Sequence, residues 1–389
     1  MVKEQNRRNS HDYNYQRIIA YIFNHRSISR SDIAAALDLN KATVSLLCGE
    51  MQQRGLLSEV GSGSASANGG RKPKLLEINK QYGYTITVEI EAQLVRALAC
   101  YLDGETIAFQ QFKLTTTSNL PQELQRLVAK FKDIEDTQHG LLGICFAIHG
   151  LVNHNQIQSS FVDLSQVAFM DLFADYQVPI ILENEANLAA LYSRDFIQTA
   201  AQKNTVTLSI HQGISAGLIL GDQLYRGSQG RVGKIGTNIV MPAFPINNRR
   251  SLVTYQDVYS ELAIVRQISE LVEKTTLSLD DISKLYDDHN SEVVTVISQF
   301  ANGVAEMLHN MAGMLDPDVF YLNSPLLHQV PSALGQIRRY FKRLSGYDIS
   351  IQLMPNIQLA TLLGGTALLT HQALGLDGQT LNLWEYSND

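Results

Sequence analysis

Ser29 and Asp32 stand three residues apart immediately before Ile33, and no other spacing constrains the chain as much. An S-x-x-D capping box satisfies orphan amides at a helix start, so it predicts a short helix over Ile33 to Leu37 with apolar residues at i and i+4. A tight turn through Asp38 and Leu39 follows. Asn40 is a good N-cap for a second helix, on which Val44, Leu47 and Met51 recur at i, i+3 and i+7 and face a core. Lys41, Thr43 and Ser45 are left pointing away from it. Gly55 supplies the helix stop and an apolar run begins at Leu56. Gly61 to Gly70 is then almost entirely Gly, Ser, Ala and Asn, before Arg71-Lys72-Pro73-Lys74 and a returning strand, Leu75 to Ile78. Ahead of all this, Tyr15, Ile18, Ile19 and Ile22 form the apolar stripe of a first helix. In this order the elements spell a winged helix-turn-helix. They imply contact with double-stranded DNA through Asn40, Lys41, Thr43 and Ser45 on the second helix and through Arg71 and Lys72 on the wing. A three-helix domain used for protein contact is the alternative.

Charge divides along the same line. Residues 1–80 carry 12 Lys and Arg against 7 Asp and Glu, whereas the whole chain has 31 against 38 and a formal charge of −7, which leaves a net −12 on the rest. A basic head on an acidic body would orient the molecule on a phosphate backbone, which attracts the one and repels the other.

The 389 residues leave room for two or three domains. Cys48, Cys100 and Cys145 lie far apart with no C-x-x-C spacing, which argues against a disulfide framework or a cysteine-based metal site and fits a reducing cytoplasm. The N-terminus is polar and the longest apolar run, near Leu141 to Ile148, is too short to span a bilayer, so no membrane association and a cytoplasmic location are expected.

From about Gln81 the pattern becomes α/β. Tyr84 to Ile90, Val95 to Tyr101 and Thr106 to Leu114 read as a β-meander with Asp103-Gly104 at a turn. A helix near Gln122 to Phe131 leads to a buried strand, Leu142 to Ile148, and a further strand, Val178 to Leu182, ends at Glu183-Asn184-Glu185-Ala186-Asn187 opening a helix. Thr205 to Ile210 and Ala216 to Leu220 form strands around Gly213 and open a second lobe. Long amphipathic helices are expected over about Leu252 to Val272 and Glu292 to Leu315.

These residues carry a resemblance to the ROK family, which groups sugar-responsive bacterial repressors with sugar kinases. Its marks here are Gly70-Arg71-Lys72-Pro73, Glu183-Asn184-Glu185-Ala186-Asn187, Gly213-Ile214-Ser215-Ala216-Gly217, Arg226-Gly227 before Gly230-x-x-Gly233-x-Ile235-Gly236, and Asp316-Pro317 before Val319 to Leu322. The resemblance implies an α/β, two-lobed, actin-like (ribonuclease-H-like) sugar-kinase fold behind the winged head. The expected domains are 1–79 for DNA binding, 80–188 for the first lobe joined by a C-terminal helix over 365–389, and 189–364 for the second lobe, with effector binding and oligomerisation.

Departures from the family pattern sharpen the expectation. Family kinases carry a D-x-G-G-T phosphate loop, whose glycines let backbone amides approach a nucleotide. This chain has Glu89-Ile90-Glu91-Ala92-Gln93. Their catalytic Asp is replaced by Glu185, and a Gly-Gly after the late strand by Asn323-Ser324-Pro325. The G-E-x-G-H motif reads Gly233-Lys234-Ile235-Gly236-Thr237, and Met241 to Arg250 lacks the Cys and His of the family's zinc loop. No catalytic residue, cofactor or metal is therefore expected. The expected effector, a sugar or sugar derivative lying between the lobes, is lined by Asn184, Glu185, Arg231, Lys234 and Thr237, with His149 and His154 as candidates to hydrogen-bond its hydroxyls. Lys234 either meets an anionic group on the effector or pairs with Glu183 or Glu185. The function implied is a repressor of carbohydrate-use genes, closer to the xylose repressors of the family than to its kinases, acting as a homodimer or higher oligomer on pseudo-palindromic operator DNA. A sugar kinase with an appended head and a repressor controlled by a protein partner without sugar are the alternatives.

Overall fold

The computed structural model describes residues 2–62, 72–132, 134, 136–197, 199, 201–240, 252–275, 277–376 and 378–384. The N-terminal segment holds three helices, Val2–His25, Arg30–Ala36 and Lys41–Gln53, and an antiparallel sheet in which Lys74–Ile78 lies between Ile28–Ser29 and Leu57–Ser62. Ser29 Oγ accepts a hydrogen bond from Asp32 N at 3.2 Å and donates to Asp32 Oδ2 at 2.7 Å. The capping box is thus half formed, because the Asp32 carboxylate turns to the hydroxyl of Ser29, a residue already paired in a strand with Leu75. Asn40 Oδ1 accepts from Ala42 N at 2.8 Å and starts the Lys41–Gln53 helix. Val44, Leu47, Cys48 and Met51 of that helix are buried, as are Ile18, Ile19, Ile22 and Ile33 on its neighbours. Gly55 ends the helix at φ +76°, a left-handed conformation that glycine adopts without a Cβ penalty. Most of the expected wing, including Arg71, lies outside the described residues.

The chain divides into two compact units. Unit 1 comprises residues 1–146, 163–181 and 365–389, and unit 2 comprises 147–162 and 182–364. The N-terminal segment groups with unit 1, where Gly55 packs on Gln138, Gln16 Nε2 donates to Gly375 O at 2.7 Å and Asn24 Nδ2 donates to Thr380 O at 2.9 Å. Unit 1 is built on a five-stranded sheet in the order Ile180–Asn184, Leu141–Ile148, Tyr84–Ile90, Leu94–Tyr101, Thr106–Lys113, the last three forming the antiparallel meander. From Gly365 onward the Ala360–Leu374 helix belongs to this unit, and Thr370 Oγ1 donates to Leu102 O at 3.2 Å.

Unit 2 centres on a second five-stranded sheet, ordered Gln223–Leu224, Ile214–Leu220, Thr205–Ile210, Val319–Asn323, Ser350–Leu353. Its first three strands pair antiparallel and its last three parallel. The Ser291–Leu315 helix, with Val293, Ile297, Phe300, Val304 and Leu308 buried, packs in the core formed with these strands. The boundary between the units falls inside the Ile180–Asn184 strand, so residues 182–188, expected with the first lobe, group with unit 2 from Leu182 onward. The Glu185–Tyr192 helix is buried along its whole length against Thr205–Ile210 and Ile214–Leu220, and a Cβ at Gly217 would come within 2.1 Å of Ala186 O. The helix expected over Leu252 to Val272 is broken at Ser260, whose extended backbone ends Tyr255–Tyr259 and whose Oγ caps Glu261–Leu271 through Ala263 N at 3.2 Å.

Candidate ligand site in the second unit

Two glycines bring a surface loop down onto the sheet of unit 2, and a third brings it onto the Gly150–Asn153 strand. Gly233 has φ +80°, and a Cβ there would lie 1.7 Å from Ala216 O; Ala216 N donates to Gly233 O at 2.8 Å. A Cβ at Gly236 would meet Ile214 O at 2.3 Å, and one at Gly230 would meet Val152 O at 2.4 Å. These contacts give the Gly230-x-x-Gly233-x-Ile235-Gly236 spacing its physical meaning, since only a bare backbone can approach this closely. Lys234 and Thr237 are thereby held beside the Ile214–Leu220 strand, with Thr237 Oγ1 donating to Lys234 O at 2.9 Å.

A hairpin not anticipated from the sequence supplies the opposite wall. Gly150–Asn153 pairs with Gln156–Ser160 across a two-residue turn in which His154 and Asn155 have φ of 48° and 60°. The turn leaves His154 exposed and outside the pocket lining. Asn184 ties this hairpin to the Glu185–Tyr192 helix. Its Oδ1 accepts from Ala186 N at 2.9 Å and Asn187 N at 3.2 Å, and its Nδ2 donates to Gly150 O at 2.6 Å.

These parts enclose a pocket of about 240 Å³. That lies below the range of roughly 300–1,000 Å³ usual for drug-sized ligands, so it suits one small ring better than a nucleotide. Of the residues expected at the site, His149, Asn184, Glu185, Lys234 and Thr237 line it, together with Phe161, His211, Ser215 and Gln256; Arg231 is exposed and is not among the lining residues. All of the lining belongs to unit 2, so Asn184 and Glu185 stand in the same unit as Lys234 and Thr237, and not on an opposing lobe.

The carboxylates of Glu183 and Glu185 are both hydrogen-bonded. Buried Glu185 accepts from Ser215 Oγ at 2.7 Å, and the rings of His149 and His211 meet edge to face at 5.6 Å. Glu183 accepts from Arg226 Nε at 2.7 Å and from Asn187 Nδ2 at 2.9 Å. Lys234 is exposed, and no ion pair with either carboxylate forms among the described residues.

In unit 1, the charges of the Glu89 to Gln93 stretch are engaged locally. Arg96 donates to Glu89 Oε2 at 2.8 Å and also to Glu91, with Glu89 buried. Burial works against the Arg96 charge, but the two carboxylates outweigh it and raise its pKa. Asn323 and Ser324 are likewise absorbed: Asn323 Nδ2 donates to Ser209 Oγ at 3.2 Å, and Ser324 Oγ caps the Pro325–Gln329 helix through Leu327 N at 3.4 Å. The Met241 to Arg250 stretch lies outside the described residues.

Glycine spacing signalled the loop bearing Lys234 and Thr237, but nothing in the sequence marked Phe161, His211 or Gln256. They reach the pocket only through the hairpin, the turn at Gly213 and the Tyr255–Tyr259 helix.

The fold and pocket define a class: a mixed α/β protein with the actin-like architecture of sugar kinases, carrying a small pocket lined by both apolar and polar groups and an N-terminal helical segment. The ROK family model matches residues 85–369. The chain is 36% identical over 367 residues to a xylose repressor of Lactiplantibacillus pentosus, covering 93% of this chain and 94% of that one. Among solved structures it resembles a ROK family transcriptional regulator, a homologue of the E. coli MLC protein, with a TM-score of 0.76 at 19% identity over 94% of this chain and 96% of the other. It also resembles a ROK family glucokinase from Streptomyces griseus in complex with glucose and AMPPNP, with a TM-score of 0.62 at 19% identity over 74% of this chain and 99% of that one. The chain belongs to the ROK family.

Proposed function

We propose that this protein is a transcriptional repressor of sugar-use genes, xylose genes foremost, whose affinity for operator DNA is set by a sugar held in the pocket of unit 2. The observation that carries this reading is the joining of that pocket, in one chain, to an N-terminal segment with a capped helix presenting polar side chains away from its core. The full-length match to a protein named xylose repressor supports it.

Residues 1–79 act as a winged helix-turn-helix. Lys41 and Ser45 are exposed and Thr43 half-buried at the start of the Lys41–Gln53 helix, where a side chain can reach base edges or phosphates in the major groove. Asn40 serves chiefly as the cap, and exposed Lys72 with Arg71 follows the backbone from the wing. One such helix offers few base contacts, so the protein binds as a dimer on a pseudo-palindromic site. Sugar binding shifts operator affinity only as far as the sugar binds the DNA-competent and released conformations unequally.

The chain has no kinase activity in this reading. Glu89 and Glu91 engage Arg96 where a nucleotide phosphate would need donors, and Glu185 engages Ser215.

The test begins by selecting bound sequences from a random DNA library with the purified full-length chain, then titrating the complex with D-xylose and other neutral aldoses. A selected site with two-fold symmetry, released or tightened by one aldose, is expected. Failure to enrich any DNA sequence would overturn the repressor reading, and enrichment with no response to any aldose would overturn the sugar half of it.

A further inference from the structure

We infer that Phe161 is the platform on which the sugar ring is seated, and that it makes the pocket selective for aldopyranoses whose ring hydroxyls are all equatorial; this rests on the sugar-binding reading above. Phe161 follows the Gln156–Ser160 strand and lines the pocket with its side chain 52% exposed. Its placement is fixed on both sides. Phe161 N donates to His149 O at 3.0 Å, and Ser160 Oγ donates to Val162 O at 2.6 Å. The far edge of the ring rests against Gly213, where a Cβ would come within 2.3 Å of Cζ and 2.7 Å of Cε2. Glycine at 213 therefore gives the ring its seat. A large aromatic held this firmly, yet left half in water at a pocket wall, is an apolar surface awaiting a partner.

The remainder of the pocket says what that partner is. Glu185, His149, His211, Lys234 and Thr237 place acceptors and donors around the same small space. A pyranose presents hydroxyls at its rim and C–H bonds on its faces. When every ring hydroxyl is equatorial, both faces are covered by axial C–H bonds and one can lie against an aromatic while the rim meets the polar groups. An axial hydroxyl on that face would press a polar oxygen onto the ring, losing its hydrogen bond to water without a replacement; axial hydroxyls at C2 and C4 project from one face and one at C3 from the other, so Phe161 excludes the epimers whose axial hydroxyl lies on the face that the rim contacts turn toward it. The pocket thus reads stereochemistry by what Phe161 refuses as well as by what the polar groups accept.

Calorimetric titration of the full-length protein tests this, using D-xylose, D-glucose and the three epimers of xylose: D-lyxose, D-ribose and L-arabinose. Wild type is expected to bind an all-equatorial sugar at least about tenfold more tightly than the epimers with an axial hydroxyl on the stacked face, either D-lyxose and L-arabinose together or D-ribose. Phe161→Leu should weaken that sugar by about tenfold while changing the epimers by less than about threefold, and Phe161→Tyr should retain wild-type selectivity. Gly213→Ala, whose methyl displaces the ring, should behave like Phe161→Leu, and the melting temperature of Phe161→Leu without sugar should match wild type because the side chain is half exposed. Wild-type affinity and selectivity in Phe161→Leu, or a wild-type preference for an epimer, would overturn the role of Phe161 while leaving sugar binding intact. Wild type that binds none of the five sugars would overturn the sugar-binding reading and this inference with it.

Discussion

At the scale of single residues, Gly233 is the most exacting position in unit 2. Its φ of +80° and the 1.7 Å separation that a Cβ would have from Ala216 O leave an alanine no room. Left-handed backbone alone costs about 1–2 kcal/mol for a residue with a Cβ, and the clash adds to it. Gly233→Ala should therefore lower stability by roughly 2 kcal/mol or more in urea unfolding, with loss of the sugar response because Lys234 is displaced. The cysteines give a second expectation. Burial pushes the Cys48 thiol up to about 11 and the Cys100 thiol to about 12, so neither should react with iodoacetamide at neutral pH until the protein unfolds. The same shifts set a direction in pH. Above about pH 9 thiols of the unfolded chain ionise while the folded ones stay protonated until about 11 and 12, so stability falls as pH rises through that window. Urea midpoints measured at pH 8 and pH 10 check the sign. Glycine spacing made the Gly233 loop visible in the sequence, whereas Lys234 offered two readings there; in the structure it is exposed, while Arg226 engages Glu183 and Ser215 engages Glu185.

At the scale of elements, two helix starts do different work with the same residue type. Asn40 caps the Lys41–Gln53 helix through one amide, and Asn184 caps Glu185–Tyr192 through two while also holding the hairpin at Gly150. Losing an Asn cap costs about 0.5–2 kcal/mol. Asn184→Ala should reach the upper end of that range and also weaken sugar binding, since it frees the hairpin that leads to Phe161; Asn40→Ala should affect the stability of the N-terminal segment without changing sugar affinity. Chemical denaturation together with calorimetry separates the two. Lys41→Ala should weaken operator binding and reduce the slope of log affinity against log salt by about one, read by fluorescence anisotropy at several salt concentrations. Capping residues and apolar periodicity made these helices legible, because caps and stripes are local. The Gly150–Ser160 hairpin escaped notice, since its turn is His154-Asn155 and not a glycine pair, and its strands alternate weakly.

At the scale of the whole molecule, the proposed repressor should release no ADP when mixed with ATP and any aldose that it binds, measured by coupled assay. Turnover that disappears in Glu185→Gln would instead make the chain a kinase with an appended head. Among the described residues, no helix is long and apolar enough to cross a membrane. What the sequence determined by itself was whatever depends on near neighbours in the chain: the capped helices, the meander, the charge division between head and body, and the glycines that must lie close to another backbone. The tertiary structure alone decided which distant segments share a site. Residues 182–192 join unit 2 because a fully buried helix must bury its surface against a sheet, and the sheet with room at Gly217 is the second one, while Asn184 draws the Gly150–Ser160 hairpin with them. Phe161 and Gly213 are 52 positions apart, and a half-exposed phenylalanine has no periodic neighbour to betray it. Such pairings are set by packing across the fold, a property of the folded surface that no local stretch of sequence encodes.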